Sequence, residues 1–179
     1  MGRSSWVSDE AMGHVLAALT PQNRLVMEVC ISTGLRVGDV LALKTAALRP
    51  RQTIREQKTG KTRRVRWRKD LYERMLAGAG RLWVFEGRTD WKRHRTRQAV
   101  WKDLRRISRV FLPGGGIPRG AQVSPHSARK MYAVGLLHQT GDLRRVQKEL
   151  NHDSEAVTLL YAMADQIGRK GGGKCRHIG

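Results

Sequence analysis

Apolar residues recur at helical spacing along most of the chain, which predicts a mainly helical protein. Ser8 can cap a helix that begins at Asp9, and Pro21 opens a second helix that Gly34 ends. A short third helix is predicted over 37–45. The first quarter of the chain is therefore expected to be almost entirely helical.

The pattern changes to an alternation of period two after residue 51. The segments "QTIRE" (52–56) and "TRRVRW" (62–67) flank "QKTGK", which is typical of a β-hairpin with Gly60 in its turn. Further helices are predicted over 70–79, 95–112, 126–140, 143–151 and 155–164, with an extended segment at 81–85 and a loop at 113–120. The helix over 95–112 carries an apolar stripe of Val100, Leu104, Ile107 and Phe111. The predicted fold class is mainly α with one small antiparallel β-sheet (α+β).

The charge of the chain indicates a polyanionic partner. Lys and Arg number 35 against 15 Asp and Glu, a net charge of +20, and the basic residues are spread along the whole sequence. Nucleic acid is the first expectation and an anionic membrane surface the second, and a ribosomal-type RNA binder is one open reading. We expect no membrane span and no secretion signal, and the two cysteines (Cys30 and Cys175) fit neither a disulfide framework nor a zinc site.

Four short clusters carry residues that suit phosphate chemistry. Arg36 follows a Thr-Gly-Leu turn, and Asp39 lies three residues on, placed to orient its guanidinium. His126 and Arg129 are spaced i, i+3 at the beginning of a helix, where they share one face and where anions bind favourably. Lys58 lies beside the hairpin turn. Each cluster alone has an ordinary structural explanation.

The fourth cluster, "LNHDSEAVTLLY", has His152 before a helix and Tyr161 near the end of that helix. Taken alone, such a tyrosine is most simply a half-buried packing residue. Its separation from the histidine by nine positions acquires meaning only together with the other three clusters.

In their order, "TGLRVGDVLAL", "KTGKTRRV", "PHSARKMYA" and "LNHDSEAVTLLY" resemble the tyrosine recombinases, the integrase family of phages and mobile elements. The resemblance runs from about Val7 to Tyr161. It implies an integrase-type catalytic domain over 7–165, with a disordered start at 1–6 and a flexible, basic, Gly-rich tail at 166–179.

The resemblance also implies residue roles. Arg36 and Arg129 would bind the scissile phosphate and Tyr161 would be the nucleophile. The residues implied to handle protons are Lys58, His126 and His152. Asp39 would be the acidic support of the first arginine, and the residues expected to bind DNA are Lys61, Arg63, Arg64, Arg95 and Arg97.

The chain departs from the family pattern at three points. Asn151 stands where the family usually has glycine, and Ser127 stands where Asp or Glu is frequent. Only a short helical segment precedes Arg36, where the family carries a core-binding domain. We therefore expect the chemistry to be intact and complete recombination to need the other domain.

The implied function is site-specific DNA recombination through a covalent 3′-phosphotyrosine, with no cofactor and no metal. The implied partners are double-stranded DNA, further copies of the chain in a tetramer, and accessory DNA-bending or directionality proteins, in a bacterial cytoplasm or nucleoid. Open alternatives are a type IB topoisomerase-like or telomere-resolvase strand transferase, and a non-catalytic basic nucleic-acid-binding protein.

Overall fold

The computed structural model describes residues 9–111 and 123–150. The predictions for 1–8, 113–120, 155–164 and 166–179, and for His152, Tyr161 and the side chain of Phe111, lie outside this part of the chain. The described helices are α1 (Asp9–Ala18), α2 (Pro21–Thr33), α3 (Val37–Leu41), α4 (Lys69–Ala77), α5 (Arg97–Phe111), α6 (Pro125–Thr140) and α7 (Leu143–Glu149), with a 3₁₀ turn at Thr45–Ala47 and strands β1 (Arg51–Arg55) and β2 (Thr62–Arg66). The predicted fold class, mainly helical with a small antiparallel sheet, is confirmed.

Helix α2 ends where the sequence predicted. Gly34 adopts a left-handed conformation at φ 66°, and its N–H donates to the Cys30 carbonyl over 2.8 Å. The chain then turns sharply into α3, whose first residue directly follows Arg36. Gly34 therefore sets the direction in which Arg36 leaves the helix end.

Helix α3 is shorter than predicted, since it stops at Leu41 instead of continuing to residue 45. The reason is long-range pairing: the Val84 N–H donates to the Leu43 carbonyl over 2.9 Å, and the Thr45 N–H donates to the Leu82 carbonyl over 3.0 Å. These bonds draw the chain out of the helix and against the segment 81–85. That segment consists of bends and a turn around an isolated bridge between Lys44 and Trp83, so the predicted extended segment is found only at Trp83.

The hairpin pairs β1 with β2 in antiparallel register from Arg51 opposite Arg66 to Arg55 opposite Thr62. Side chains alternate between its two faces, so Ile54, Arg63 and Val65 are buried while their neighbours are exposed. Gly60, at φ 68°, lies at the predicted turn.

The chain divides after Tyr132 into two compact units. The first unit has one hydrophobic core built from α1 to α5 and the hairpin, and α5 buries Val100, Leu104 and Ile107 as its stripe predicted. Within the described residues, no helix is long and apolar enough to cross a lipid bilayer.

A buried carboxylate fastens α5 to the start of α2. Asp103 accepts hydrogen bonds from the Asn23 amide at 2.7 Å and from the Thr20 backbone and hydroxyl at 3.1 and 2.9 Å. Burial acts to raise the pKa of Asp103, but these bonds together with one from Arg106 outweigh it and hold the pKa at about 2. The ionised carboxylate therefore stabilises this part of the fold.

The second unit is described from Ala133 to Leu150 and contains the rest of α6 and all of α7. Gly141, at φ 63°, ends α6 as predicted. Asp142 then caps α7, because its Oδ1 accepts from the backbone N–H groups of Arg144 and Arg145 at 2.8 and 3.1 Å.

Candidate active site

The candidate site is built around the carboxyl end of α2, where the last carbonyls of a helix lack partners within the helix. Arg36 lies just beyond this end, in the extended conformation that precedes α3. Its Nη1 donates to Oε2 of Glu56 over 2.5 Å, and the Glu56 side chain is fully buried. The pair fixes one side of the Arg36 guanidinium while 15 % of the side chain stays accessible to solvent.

Arg129 reaches the same helix end from α6. Ser124 caps that helix, since its Oγ accepts from the His126 N–H at 3.2 Å, and Pro125 is the first helical residue. Arg129 lies one turn further on, is buried, and donates through Nη1 to the Gly34 carbonyl. Two arginines whose helices are distant in the sequence thus meet at one glycine turn.

Asp39 lies close to both arginines. Burial raises the pKa of the Asp39 carboxyl, the Gln57 N–H opposes this, the Glu56 charge raises it further, and the charges of Arg36 and Arg129 lower it. Its Oδ1 accepts from the backbone N–H of Gln57 over 2.9 Å. Asp39 therefore ties α3 to the hairpin turn, and the carboxylate that pairs directly with Arg36 is Glu56, not Asp39 as the sequence suggested.

Lys58 and His126 are both exposed. Lys58 sits in the hairpin turn between two anchored neighbours: Gln57 is bonded to Asp39, and Thr59 donates to Oε2 of Glu56 over 3.1 Å. The turn that carries Lys58 is therefore fixed to the two carboxylates that neighbour Arg36, while its own side chain is directed to solvent.

The five residues expected to bind DNA divide into two groups. Lys61, Arg64 and Arg97 are exposed, as a phosphate-binding side chain requires. Arg63 is instead buried and donates to the Thr33 carbonyl, and Arg95 is half-buried with bonds to Asn23 and Gln22 at 2.5 and 3.0 Å. DNA binding stays a prediction for all five residues, and the position of Arg63 and Arg95 does not favour it, because both guanidinium groups donate to acceptors of the fold.

A profile described as the phage integrase family matches residues 8–166. The chain belongs to the phage integrase family. Tyrosine recombinase XerD of Mycobacterium tuberculosis is 30 % identical over 162 residues, which cover 81 % of this chain and 49 % of the relative. The chain spans about half the length of the curated relatives it matches.

Solved structures agree with the fold. The catalytic core of lambda integrase superposes with a TM-score of 0.68 at 21 % identity, covering 84 % of this chain and 92 % of that one. XerH site-specific recombinase bound to difH substrate superposes with a TM-score of 0.64 at 19 % identity, covering 85 % of this chain and 48 % of that one. At these identities the likeness establishes the integrase catalytic-domain fold.

Two residues of this integrase-family site, Glu56 and Tyr132, were missed by the sequence analysis, and the buried position of a third, Arg63, was not foreseen. Glu56 is the last residue of "QTIRE", and only the return of the hairpin to α3 reveals its pairing with Arg36. Arg63 follows the period-two alternation with Val65 and Trp67, which are buried, and that signal could have placed it inward. Tyr132 packs its ring on Gly34, so that a Cβ there would lie 2.7 Å from Cε1 of the ring.

Ser127 replaces the acidic residue frequent at this position of the integrase family. It is fully buried, and its Oγ accepts from the Ser124 N–H at 3.2 Å while its own N–H donates to the Ser124 carbonyl at 2.8 Å. The Ser127 side chain therefore stabilises the first turn of α6, which precedes Arg129.

Proposed function

We propose that the chain is the catalytic domain of a tyrosine recombinase, which cuts and rejoins DNA through a covalent 3′-phosphotyrosine. The observation that carries the proposal is the convergence of Arg36 and Arg129 at the Gly34 turn, with both charges acting on Asp39. Guanidinium groups suit the non-bridging oxygens of a phosphodiester, because each is always charged and can bind two oxygens in a plane.

The proposed reaction has two mirror-image steps. The Tyr161 oxygen attacks the scissile phosphorus, a P–O bond to tyrosine forms, and the bond to the 5′ oxygen breaks. The phenol, whose ordinary pKa is about 10, gives up its proton, and the leaving 5′ oxygen takes one. In the second step a 5′-hydroxyl displaces the tyrosine, so the strand is rejoined without an external energy source.

The proton carriers in this proposal are the histidines and Lys58. Lys58 or His126 protonates the 5′ oxygen, and His126 or His152 accepts the proton of the phenol. The exposure of Lys58 beside the anchored Gln57 and Thr59 supports its part, because an exposed side chain on a fixed turn can reach a bound strand.

Tyr161 is proposed as the nucleophile from its motif and from the positions of the other two tyrosines. Tyr72 packs against the core from α4. Tyr132 has its ring on Gly34, and its hydroxyl accepts from Nη2 of Arg63 at 3.2 Å. Both tyrosines therefore have a structural role, and either would have to give up its contacts to act as the nucleophile.

The proposed substrate is double-stranded DNA, contacted through its backbone by Lys61, Arg64 and Arg97. The exposed face of the hairpin adds Arg51, Arg55 and Arg66, so one surface carries a dense positive charge. XerH has been solved bound to difH substrate, and a lambda integrase dimer has been solved bound to a COC′ core site. We extend this to site-specific integration and excision by a tetramer in a bacterial cytoplasm or nucleoid, with accessory DNA-bending or directionality proteins.

The test uses nicked duplexes whose sequence is randomised around the nick, because a nick traps the covalent product by releasing the short strand. SDS-resistant adducts are recovered and their DNA is sequenced. We expect the parent to give adducts enriched in one sequence, and Tyr161→Phe to bind DNA but give none. Tyr72→Phe is the matched control.

Each other outcome favours a different function. Adducts without sequence enrichment, together with plasmid relaxation, would indicate a topoisomerase-like enzyme. An adduct that persists in Tyr161→Phe would refute the choice of nucleophile. DNA binding with no adduct from any variant would refute strand transfer and indicate a non-catalytic binder.

A further inference from the structure

Arg63 combines a buried position with contacts that link two parts of the candidate site. It lies on β2 opposite Ile54, on the inward face of the hairpin. Its Nη2 donates to the Thr33 carbonyl and to the Tyr132 hydroxyl, the latter over 3.2 Å, and its guanidinium carbon lies 5.4 Å from the centre of the Tyr132 ring. Burying a cation is costly, so these contacts must serve a purpose in the folded protein.

Arg63 and Arg129 bind adjacent backbone carbonyls at the carboxyl end of α2. Arg63 donates to the carbonyl of Thr33, and Arg129 donates to the carbonyl of the next residue, Gly34. The end of a helix carries partial negative charge on these unsatisfied carbonyls, so two cations can be held there. The helix end thus acts as a common anchor for one arginine from the hairpin and one from α6.

Tyr132 completes the link. It follows Arg129 by three residues on α6, so both side chains project from the same face. The Tyr132 ring lies on Gly34 and its hydroxyl contacts Arg63, while Arg129 contacts the Gly34 carbonyl. The start of α6 is therefore held at two points about one turn apart.

We propose that Arg63 is a positioning residue, which acts with the Tyr132 hydroxyl to hold α6 on the α2 carboxyl end and so fixes Arg129 beside Arg36. This rests on the proposed function, in which Arg129 binds the scissile phosphate. A displacement of about 1 Å at a catalytic group can lower a rate by about 10²-fold. Arg63 thus shapes the phosphate site without touching DNA.

The first experiment measures single-turnover cleavage with saturating protein on a nicked duplex that the parent cleaves. The variants are Arg63→Met, Tyr132→Phe and the double variant, with Tyr72→Phe as the control. All rates are taken well below the thermal unfolding midpoint of every variant. We expect Arg63→Met to cleave about 10²-fold more slowly, Tyr132→Phe to be slower than parent, and the double variant to be no slower than Arg63→Met. Multiplying effects in the double variant, or a parental rate in Arg63→Met, would overturn the proposal.

A salt series separates positioning from direct DNA contact. Each phosphate contact contributes about 0.9 to the slope of log affinity against log salt. We expect Arg63→Met to keep the parental slope, whereas a direct contact would lower it by about 0.9. A lowered slope would therefore refute positioning and restore Arg63 as a DNA-binding residue.

The second experiment needs no activity, so it separates failure of this inference from failure of the proposed function. The Nε–H signal of Arg129 is followed by ¹⁵N NMR in the protein alone and is identified by its loss in Arg129→Lys. Burial of Arg129 should protect this proton from exchange, and we expect exchange to become about tenfold faster in Arg63→Met and faster than parent in Tyr132→Phe. Parental protection in Tyr132→Phe, which removes a single oxygen and should fold normally, would overturn the proposal. A parent that forms no adduct would instead refute only the catalytic role.

Discussion

Gly34 is the residue on which the arrangement of Arg36, Arg129 and Tyr132 depends, and replacing it with alanine gives a calculable penalty. At φ 66° a side chain is strained by about 1–2 kcal/mol. The added Cβ would also lie 2.7 and 2.8 Å from two carbons of the Tyr132 ring, closer than any real contact. Overpacking of this kind costs about 1–3 kcal/mol. Gly34→Ala should therefore lower the free energy of unfolding by about 2–5 kcal/mol.

Gly60 provides the matched control, because its φ also lies in the left-handed region and a side chain there would make no contact. Its φ is 68°, and a Cβ there would meet nothing within 4 Å. Gly60→Ala should lower the free energy of unfolding only by the backbone strain, about 1–2 kcal/mol. The difference between the two variants therefore isolates the contact with Tyr132.

The assay is urea unfolding followed by tryptophan fluorescence, with the midpoint compared at constant slope. Gly34→Ala should unfold at a clearly lower urea concentration than Gly60→Ala, and the difference should shrink when Tyr132 is also replaced by alanine. Equal midpoints for the two glycine variants would show that Tyr132 does not press on the turn, and the account of how α6 is seated would be wrong.

Four further predictions follow from single residues. Asp103→Asn should lower the free energy of unfolding by about 2 kcal/mol near pH 7, because the folded pKa of about 2 lies below the ordinary value of 3.8. The stabilisation by ionised Asp103 is present above pH 3.8 and is lost as the pH falls towards 2, so the thermal midpoints of parent and variant should converge near pH 2. Asp39→Asn should raise the thermal midpoint at neutral pH, because the raised pKa of Asp39 means that its ionised form destabilises the folded state. The difference in midpoint should disappear below pH 3.8, and a midpoint lower than that of the parent at pH 7 would contradict this prediction. Arg129→Lys should slow single-turnover cleavage by about 10²-fold, because an ammonium group cannot bind the Gly34 carbonyl and a phosphate in one plane. A near-parental rate would refute the proposed binding of the scissile phosphate by Arg129. Lys58→Ala should cleave a 5′-bridging phosphorothiolate far faster than the normal oxygen substrate, because sulfur leaves without a proton, and rescue of His126→Ala instead would reassign the proton donor.

Local patterns in the sequence were sufficient for most of the fold. Gly34 and Pro21 delimit α2 through backbone rules that need no knowledge of the rest of the chain. The alternation of "TRRVRW" predicted β2, and the stripe of Val100 and Leu104 predicted the buried face of α5. Where an element was misjudged, as at the end of α3, pairing with residues about 40 positions away decided the outcome.

The arrangement of charges was harder to predict, because the partners are distant in the sequence. Arg36 was paired with its near neighbour Asp39, whereas the hairpin brings Glu56 to it from 20 residues away. Arg63 was grouped with Arg64 as a DNA-binding residue, although adjacent positions of a strand face opposite sides. A basic residue in a basic protein suggests a nucleic-acid contact, but the pleat of the strand decides whether it can make one.

The charges of the described site offer a physical reason for this arrangement. Arg36 and Arg129 act on the buried carboxylate of Asp39, and Arg36 pairs with the buried carboxylate of Glu56. The Glu56 carboxylate offsets repulsion between the cations near the α2 end, whereas burial of the Asp39 carboxylate costs more than its neighbours return. In the absence of substrate, Arg36 is held by Glu56, and Arg63 and Arg129 are held by carbonyls at the end of α2. Under the proposed function, the carboxylates and the α2 carbonyls hold the guanidinium groups in advance, so little reorganisation remains when the phosphate becomes more highly charged in the transition state.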